Sequence, residues 1–438
     1  VEYNAVFWVI VAIIALSFIW GQVRAALNRS RMGDTLPAEL VGIYDTDDYA
    51  RQQQYQRTYG KFSLISGSVS TLAFLLVLFF GVLGNLEGVL QQVTSHYVLL
   101  PLLFVVVIVV VATLLSLPFE YYSTFVIEEQ FGFNKSTKIT FFLDALKNLL
   151  LLLVLAGVVV SIVSFLYHLS PQWFWVWAWI ALTFFSVGIT YFYSQLIVPL
   201  FNKQTPLKEE GEEGKLRTAL MQLAEKTVFP ISDVYVIDGS KRSTKANAYF
   251  AGFGKRKRIC LYDTLIDDLD TEEIAAVLAH EIGHYKKRHV PINMLLAVVQ
   301  QGFQLWLMSL FLGSVALAAA MGSTTGASSF ILGLIAFSLL YGPISELLSV
   351  GGNVLSRRFE YQADAFAASY GYGQALVDGL KTISAKALAN MTPHPIVVFW
   401  TYSHPPLLQR MQALGISGFT EKPELDVEDV PDTSDGEH

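Results

Sequence analysis

Seven stretches of the chain are apolar for about 20 residues or more, near 4–24, 62–83, 97–117, 146–167, 173–196, 290–320 and 329–350. A helix needs about 20 such residues to cross roughly 30 Å of hydrocarbon, so each is expected to span a membrane. The first lacks a basic start and a small-residue cleavage site, and is read as a true span rather than a removed signal. Lysine and arginine separate the connections into two sets. Arg29, Arg31, Arg51, Arg57 and Lys61 fall after the first run, Lys135 and Lys138 after the third, many more after the fifth, and Arg357 and Arg358 after the last. The second, fourth and sixth connections have none. This alternation predicts the N-terminus outside and the C-terminus in the cytoplasm.

Two stretches long enough to fold outside the bilayer remain, 197–289 and 351–420, separated by the hairpin of the last two spans. In the first, GKLRTALMQLAEKTV has a helical period, with Leu216, Leu220 and Leu223 on one face, while DVYVID and KRICLY read as short strands. The expected fold is predominantly α: a seven-transmembrane-helix protein with a zincin-like, gluzincin-type catalytic domain carrying a small β-sheet. The expected division is a membrane domain over 1–200, a first catalytic part over 201–289, a transmembrane hairpin over 290–350, a second catalytic part over 351–420 and a disordered tail over 421–438.

Composition agrees with the spans: 53% of residues are hydrophobic and 15% charged, with mean hydropathy +0.45. The net charge of −7 is carried by the last eighteen residues, which hold eight acids and one lysine. The rest of the chain is near neutral, and no nucleic-acid partner is expected. The single cysteine, Cys260, excludes an intrachain disulfide framework and reads as a small buried residue.

The chemistry is concentrated in LDTEEIAAVLAHEIGHYKKRH. Asp270 followed by Glu273 is a capping signature, and Ile274, Val277, Leu278 and Ile282 form an apolar stripe, so the segment is expected to be a helix. On a helix, His280 and His284 lie one turn apart on one face and can hold one zinc ion, with Glu281 beside them to take a proton from metal-bound water. A helix end that solvates a membrane interface with histidines and lysines is the plainer alternative. A catalytic zinc needs a third ligand. Lys287 and Val290 occupy the positions where a metzincin needs glycine and histidine, and His289 is out of register, so it reads as an interfacial structural residue. In SRRFEYQADAFAAS, Glu360 and Asp364 stand one turn apart among small alanines that let two helices approach closely. Glu360 is the expected third ligand and Asp364 the carboxylate that orients a ligand histidine or steadies the reaction's charge. The alternative for this pair is a solvated face balanced by Arg357 and Arg358.

LPFEYYSTFVIEEQFGFNKST, DGSKRSTKANAYFAGFGKRKRICLYDTLI, LAHEIGHYKKRH, RRFEYQADAFA and YSHPPLLQR, in this order along the chain, resemble the type I CAAX prenyl proteases, seven-span integral-membrane zinc endopeptidases. The resemblance runs from the first span to about residue 419. It implies zinc on His280, His284 and Glu360, Glu281 as general base, and Asp364 as a further catalytic carboxylate. It also implies Asn247 on an edge strand that pairs with extended substrate, His404 and Arg410 on the substrate or its developing oxyanion, and a water-filled chamber walled by the spans. Without it, Asn247 reads as a turn residue, His404 as an even choice between cap and site, His394 as a residue with no role, and FEYYSTFVIEEQFGFNKST as an interfacial loop.

The expected function is therefore a zinc metalloendopeptidase that acts on a peptide or protein substrate at the bilayer. In the eukaryotic case it would remove the last three residues of a prenylated CAAX terminus. DTSDGEH is not an endoplasmic reticulum retention address, which leaves a prokaryotic cell membrane as the alternative location. The competing readings are a membrane-protein quality-control protease with no prenyl requirement and a non-catalytic seven-helix scaffold or transporter.

Overall fold

The computed structural model describes residues 3–33, 35–36, 40–251 and 257–419. The acidic tail lies outside the described residues. The chain is 75% helical. Among the described residues, seven helices are long and apolar enough to cross a membrane: Ala5–Arg29, Thr46–Phe79, Leu99–Glu128, Lys138–Leu169, Phe174–Phe201, His289–Phe311 and Phe330–Ser369. Several begin at side-chain caps that satisfy free N–H groups: Asn4 accepts from Phe7, Asp45 from Asp48, Thr137 from Thr140 and Ser329 from Leu332. Their apolar windows are little covered by protein, only 6% in the second and 11% in the first and third. Side chains this apolar and this uncovered require lipid against them.

The helices outrun the hydrophobic stretches that predict them. Thr46–Phe79 begins sixteen residues before the predicted span, and its polar first half packs on the far end of the chain. There the Gln52 and Gln56 amides donate to Ala389 O and Leu388 O, at 3.2 and 3.0 Å. Between the second and third spans, where a loop is expected, Val82–Val93 forms a further helix. The segment FEYYSTFVIEEQFGFNKST, read alone as an interfacial loop, continues its helix through a π-helical stretch at Ser123–Glu128. The last span and the segment carrying Glu360 are one unbroken 40-residue helix, which passes straight through the expected boundary at 350/351.

The extramembrane part is built on a four-stranded sheet: β1 (Gln204–Pro206), β2 (Ile231–Ile237), β3 (Ala248–Ala251) and β4 (Lys257–Tyr262), in the order β1-β2-β4-β3. The central β2 and β4 are parallel, and β3 lies antiparallel to β4 at an edge. Gly211–Lys226 is the helix read from the leucine period, and Leu216, Leu220 and Leu223 join Val234, Ile259 and Leu261 of the sheet in one core with Ile274, Leu278 and Ile282 of the histidine helix. Cys260 is fully buried.

This unit is pinned to the membrane helices by a polar seam. Arg242 is bidentate on Asp144 at 2.7 and 3.1 Å, and Lys245 pairs with Glu128 at 3.0 Å. Asn134 and Ser243 form an antiparallel bridge, with Lys135 N–H donating to Arg242 O and Thr244 N–H to Phe133 O. The strand edge at β3 therefore leaves a segment fixed to spans three and four.

Candidate active site

His280 and His284 lie on the helix Thr271–Lys286, whose start is a complete capping box: Glu273 N–H donates to Asp270 Oδ1 at 2.9 Å and Asp270 N–H to Glu273 Oε2 at 3.0 Å. Glu360 and Asp364 lie on Phe330–Ser369. The two helices touch through small residues. A Cβ on Gly283 would stand 2.9 Å from the Ala363 Cα and 3.1 Å from its carbonyl oxygen, too close for any side chain. Ala363 and Ala367 are fully buried in this contact. This contact brings residues 80 apart in sequence within reach of one ion.

One ligand atom from each of His280, His284 and Glu360 lies within 4.8 Å of the others. The two Nε2 atoms are 3.1 Å apart, His284 Nε2 is 3.3 Å from Glu360 Oε1, and His280 Nε2 is 3.5 Å from Glu360 Oε2. Ligand atoms held tetrahedrally about 2.0–2.1 Å from zinc stand about 3.3–3.4 Å apart, so these separations fit such an ion. The Glu360 carboxylate is almost wholly buried, yet its Oε2 makes no hydrogen bond, an expensive state for a carboxylate oxygen. The residues present fit a divalent metal.

Behind the ligands, Asp364 Oδ1 accepts from His280 Nδ1 at 2.8 Å, leaving the lone pair on Nε2 directed at the group. Burial disfavours charge on His280 and Arg410 opposes it as well, but Asp364 and Glu360 beside it outweigh both and push the imidazole up to about 9.

The remaining predicted residues are distributed unevenly. Glu281 is half-buried beside His280. The His404 side chain is 66% exposed, with Nε2 3.4 Å from Glu360 Oε1 and Nδ1 2.9 Å from Ser403 Oγ, so it stands at the open side of the group. Arg410 is buried: Nε donates to Asp364 Oδ2 at 2.8 Å, Nη2 to Oδ1, and Nη1 is 3.9 Å from Glu360 Oε2. Its Nε and Nη2 thus hold the Asp364 carboxylate, while Nη1 lies toward the ligand group. Asn247 immediately precedes β3; its carbonyl accepts from Tyr262 N–H at 3.0 Å and its side chain from Ala248 N–H at 2.8 Å. It belongs to the strand edge and makes no hydrogen bond to the histidine–glutamate group. His394 caps the helix Pro395–Thr401 by accepting from Ile396 N–H.

His289, read from the sequence as an interfacial structural residue, is 1% exposed and contacts both His284 and Gln362. The only sequence signal for the pair is a polar glutamine among alanines two residues after Glu360.

A bundle of seven spans joined to a metal-compatible His–His–Glu group defines a multi-pass membrane metalloprotease. Residues 26–203 match the family described as CAAX prenyl protease N-terminal, five membrane helices, and residues 210–416 match peptidase family M48. The CAAX prenyl protease 1 homolog of Arabidopsis thaliana is 35% identical over 388 residues, covering 87% of this chain and 90% of the relative. CAAX prenyl protease 1 of Saccharomyces cerevisiae is 33% identical over 407 residues, covering 86% and 88%. The crystal structure of S. mikatae Ste24p superposes with a TM-score of 0.88 at 29% identity, covering 94% of this chain and 99% of that one. The chain belongs to peptidase family M48, among the CAAX prenyl proteases. It is a peptide hydrolase of that type, and the scaffold or transporter reading falls with this finding.

Proposed function

We propose that the chain holds one zinc ion with His280, His284 and Glu360 and removes the last three residues from prenylated C-termini. The observation that carries the metal reading is the buried Glu360 carboxylate with Oε1 3.3 Å from His284 Nε2 and Oε2, which makes no hydrogen bond, 3.5 Å from His280 Nε2. Bound there, zinc supplies Lewis-acid polarisation of the scissile carbonyl and of the attacking water. Glu281 accepts the proton of that water and passes it to the leaving amine. Asp364, braced by Arg410, fixes the tautomer and orientation of His280. His404, exposed beside Glu360, is placed to donate to the carbonyl oxygen as charge develops. Asn247 leads into the β3 edge, which is open on its outer side among the described residues, and an extended substrate adds there as a further strand.

Basic residues in the odd-numbered connections support a cytoplasmic face for this chemistry, in the endoplasmic reticulum membrane of a eukaryote or the cell membrane of a prokaryote. The prenyl requirement draws on the relatives' names and on the adjoining apolar spans. A matched pair of C-a-a-X peptides, one farnesylated and one not, tests it with the purified full chain. Release of the last three residues from the farnesylated peptide alone is expected. Equal cleavage of both would leave a membrane protease without a prenyl requirement.

A further inference from the structure

His280 and His284 are supported from behind by different chemistry. His280 has a carboxylate at its Nδ1, but His284 has a neutral ring: His284 Nδ1 and His289 Nδ1 are 3.0 Å apart. On the other side of the His289 ring, Nε2 is 2.9 Å from Gln362 Oε1. The ring is buried and stacks on Phe359, with centroids 4.0 Å apart and planes 9° from parallel. It reaches this place because Arg288 takes the left-handed conformation at φ 61°, turning the chain between the histidine helix and the sixth span.

We propose that His289 and Gln362 are positioning residues that set the tautomer of His284 and thereby its affinity for the metal. This rests on the metal reading above. Two ring nitrogens 3.0 Å apart share one proton, so one donates and the other accepts. With the Gln362 amide oxygen facing it, His289 carries its proton on Nε2 and offers a bare Nδ1. His284 then donates from its own Nδ1, and its Nε2 lone pair is free toward Glu360 and His280. With the amide reversed, the chain of donors reverses and a proton is placed on His284 Nε2, where the ion binds. The Gln362 amide oxygen is thus the origin of a two-step relay that ends at a metal ligand, and stacking on Phe359 holds the intermediate ring in plane.

The test measures zinc dissociation from the full-length protein in detergent by competition with a chromophoric chelator, with melting of the metal-free protein recorded alongside. His289→Phe keeps the ring and its stacking but removes both nitrogens, whereas His289→Asn keeps an acceptor at the Nδ1 position. Gln362→Glu keeps an acceptor for His289 Nε2, and Gln362→Met removes it. Loss of such an outer partner weakens metal binding by about 10–100-fold. That loss is expected for His289→Phe and Gln362→Met, with recovery toward wild type in His289→Asn and Gln362→Glu and unchanged melting of the metal-free forms. Wild-type affinity in both deletion variants, or equal loss in deletion and acceptor-keeping variants, would overturn the relay. If His289→Phe fails to fold, Gln362→Met and Gln362→Glu decide it alone. Failure of the wild-type chain to bind zinc would instead overturn the metal reading itself.

Discussion

In the proposed mechanism, Glu281 and its neighbours divide the labour between binding and proton transfer. His280, His284 and Glu360 converge on one point, while Glu281 is adjacent to His280 but outside their group. Glu281→Gln should therefore keep fold and metal while losing turnover, because an amide can hydrogen-bond water but cannot take its proton at neutral pH. Removing a general base costs typically about 10²–10⁴-fold in rate. Unchanged zinc content with cleavage near the wild-type rate would remove Glu281 from the mechanism. Legibility at these positions followed local pattern rather than sequence distance. The histidine pair could be read because helical spacing alone puts both on one face. Glu360, 80 residues further on, could be read because a second carboxylate at helical spacing lies among alanines. His289 could not, since its place depends on a left-handed residue at Arg288 that no local pattern announces. Arg410 was linked to the site by resemblance alone, and no local pattern announces its bidentate contact with Asp364.

The contact between the histidine helix and the 40-residue helix is what turns separate motifs into a site. Gly283 admits that contact, since any Cβ there meets the Ala363 backbone, which cannot rotate away as a side chain would. Gly283→Ala should force the helices apart, destabilise the chain by about 1–3 kcal/mol as overpacked cores do, and weaken zinc retention. Melting and zinc content measured together check it. An alanine variant with wild-type values for both would show that the close approach is not required. The elements were legible in kind, because hydropathy marks spans and the capping pair Asp270–Glu273 marks a helix start. Their ends were not. Hydropathy falls where a helix leaves lipid, but its backbone hydrogen bonds continue, so Thr46–Phe79 and Phe330–Ser369 extend far beyond their apolar runs.

The molecule joins a lipid-facing bundle to a soluble-type sheet and helix core through the Asp144–Arg242 and Glu128–Lys245 pairs, so the side of the membrane reached by one ion pair is reached by the whole site. The charge alternation predicts that this side is cytoplasmic. A cysteine replacing Thr324, in the sixth connection, should react with an impermeant thiol reagent added outside intact cells, and one replacing Ser417 only after permeabilisation. Cys260, fully buried, should contribute little background. The reverse pattern would put proteolysis outside the cytoplasm. The account as a whole stands on a metal held between two helices from opposite ends of the extramembrane part. Zinc counted per chain in purified full-length wild type and Glu360→Ala tests it most directly. One zinc per wild-type chain, with most of it lost from a folded Glu360→Ala variant, is the predicted result; full occupancy in that variant would contradict the assignment.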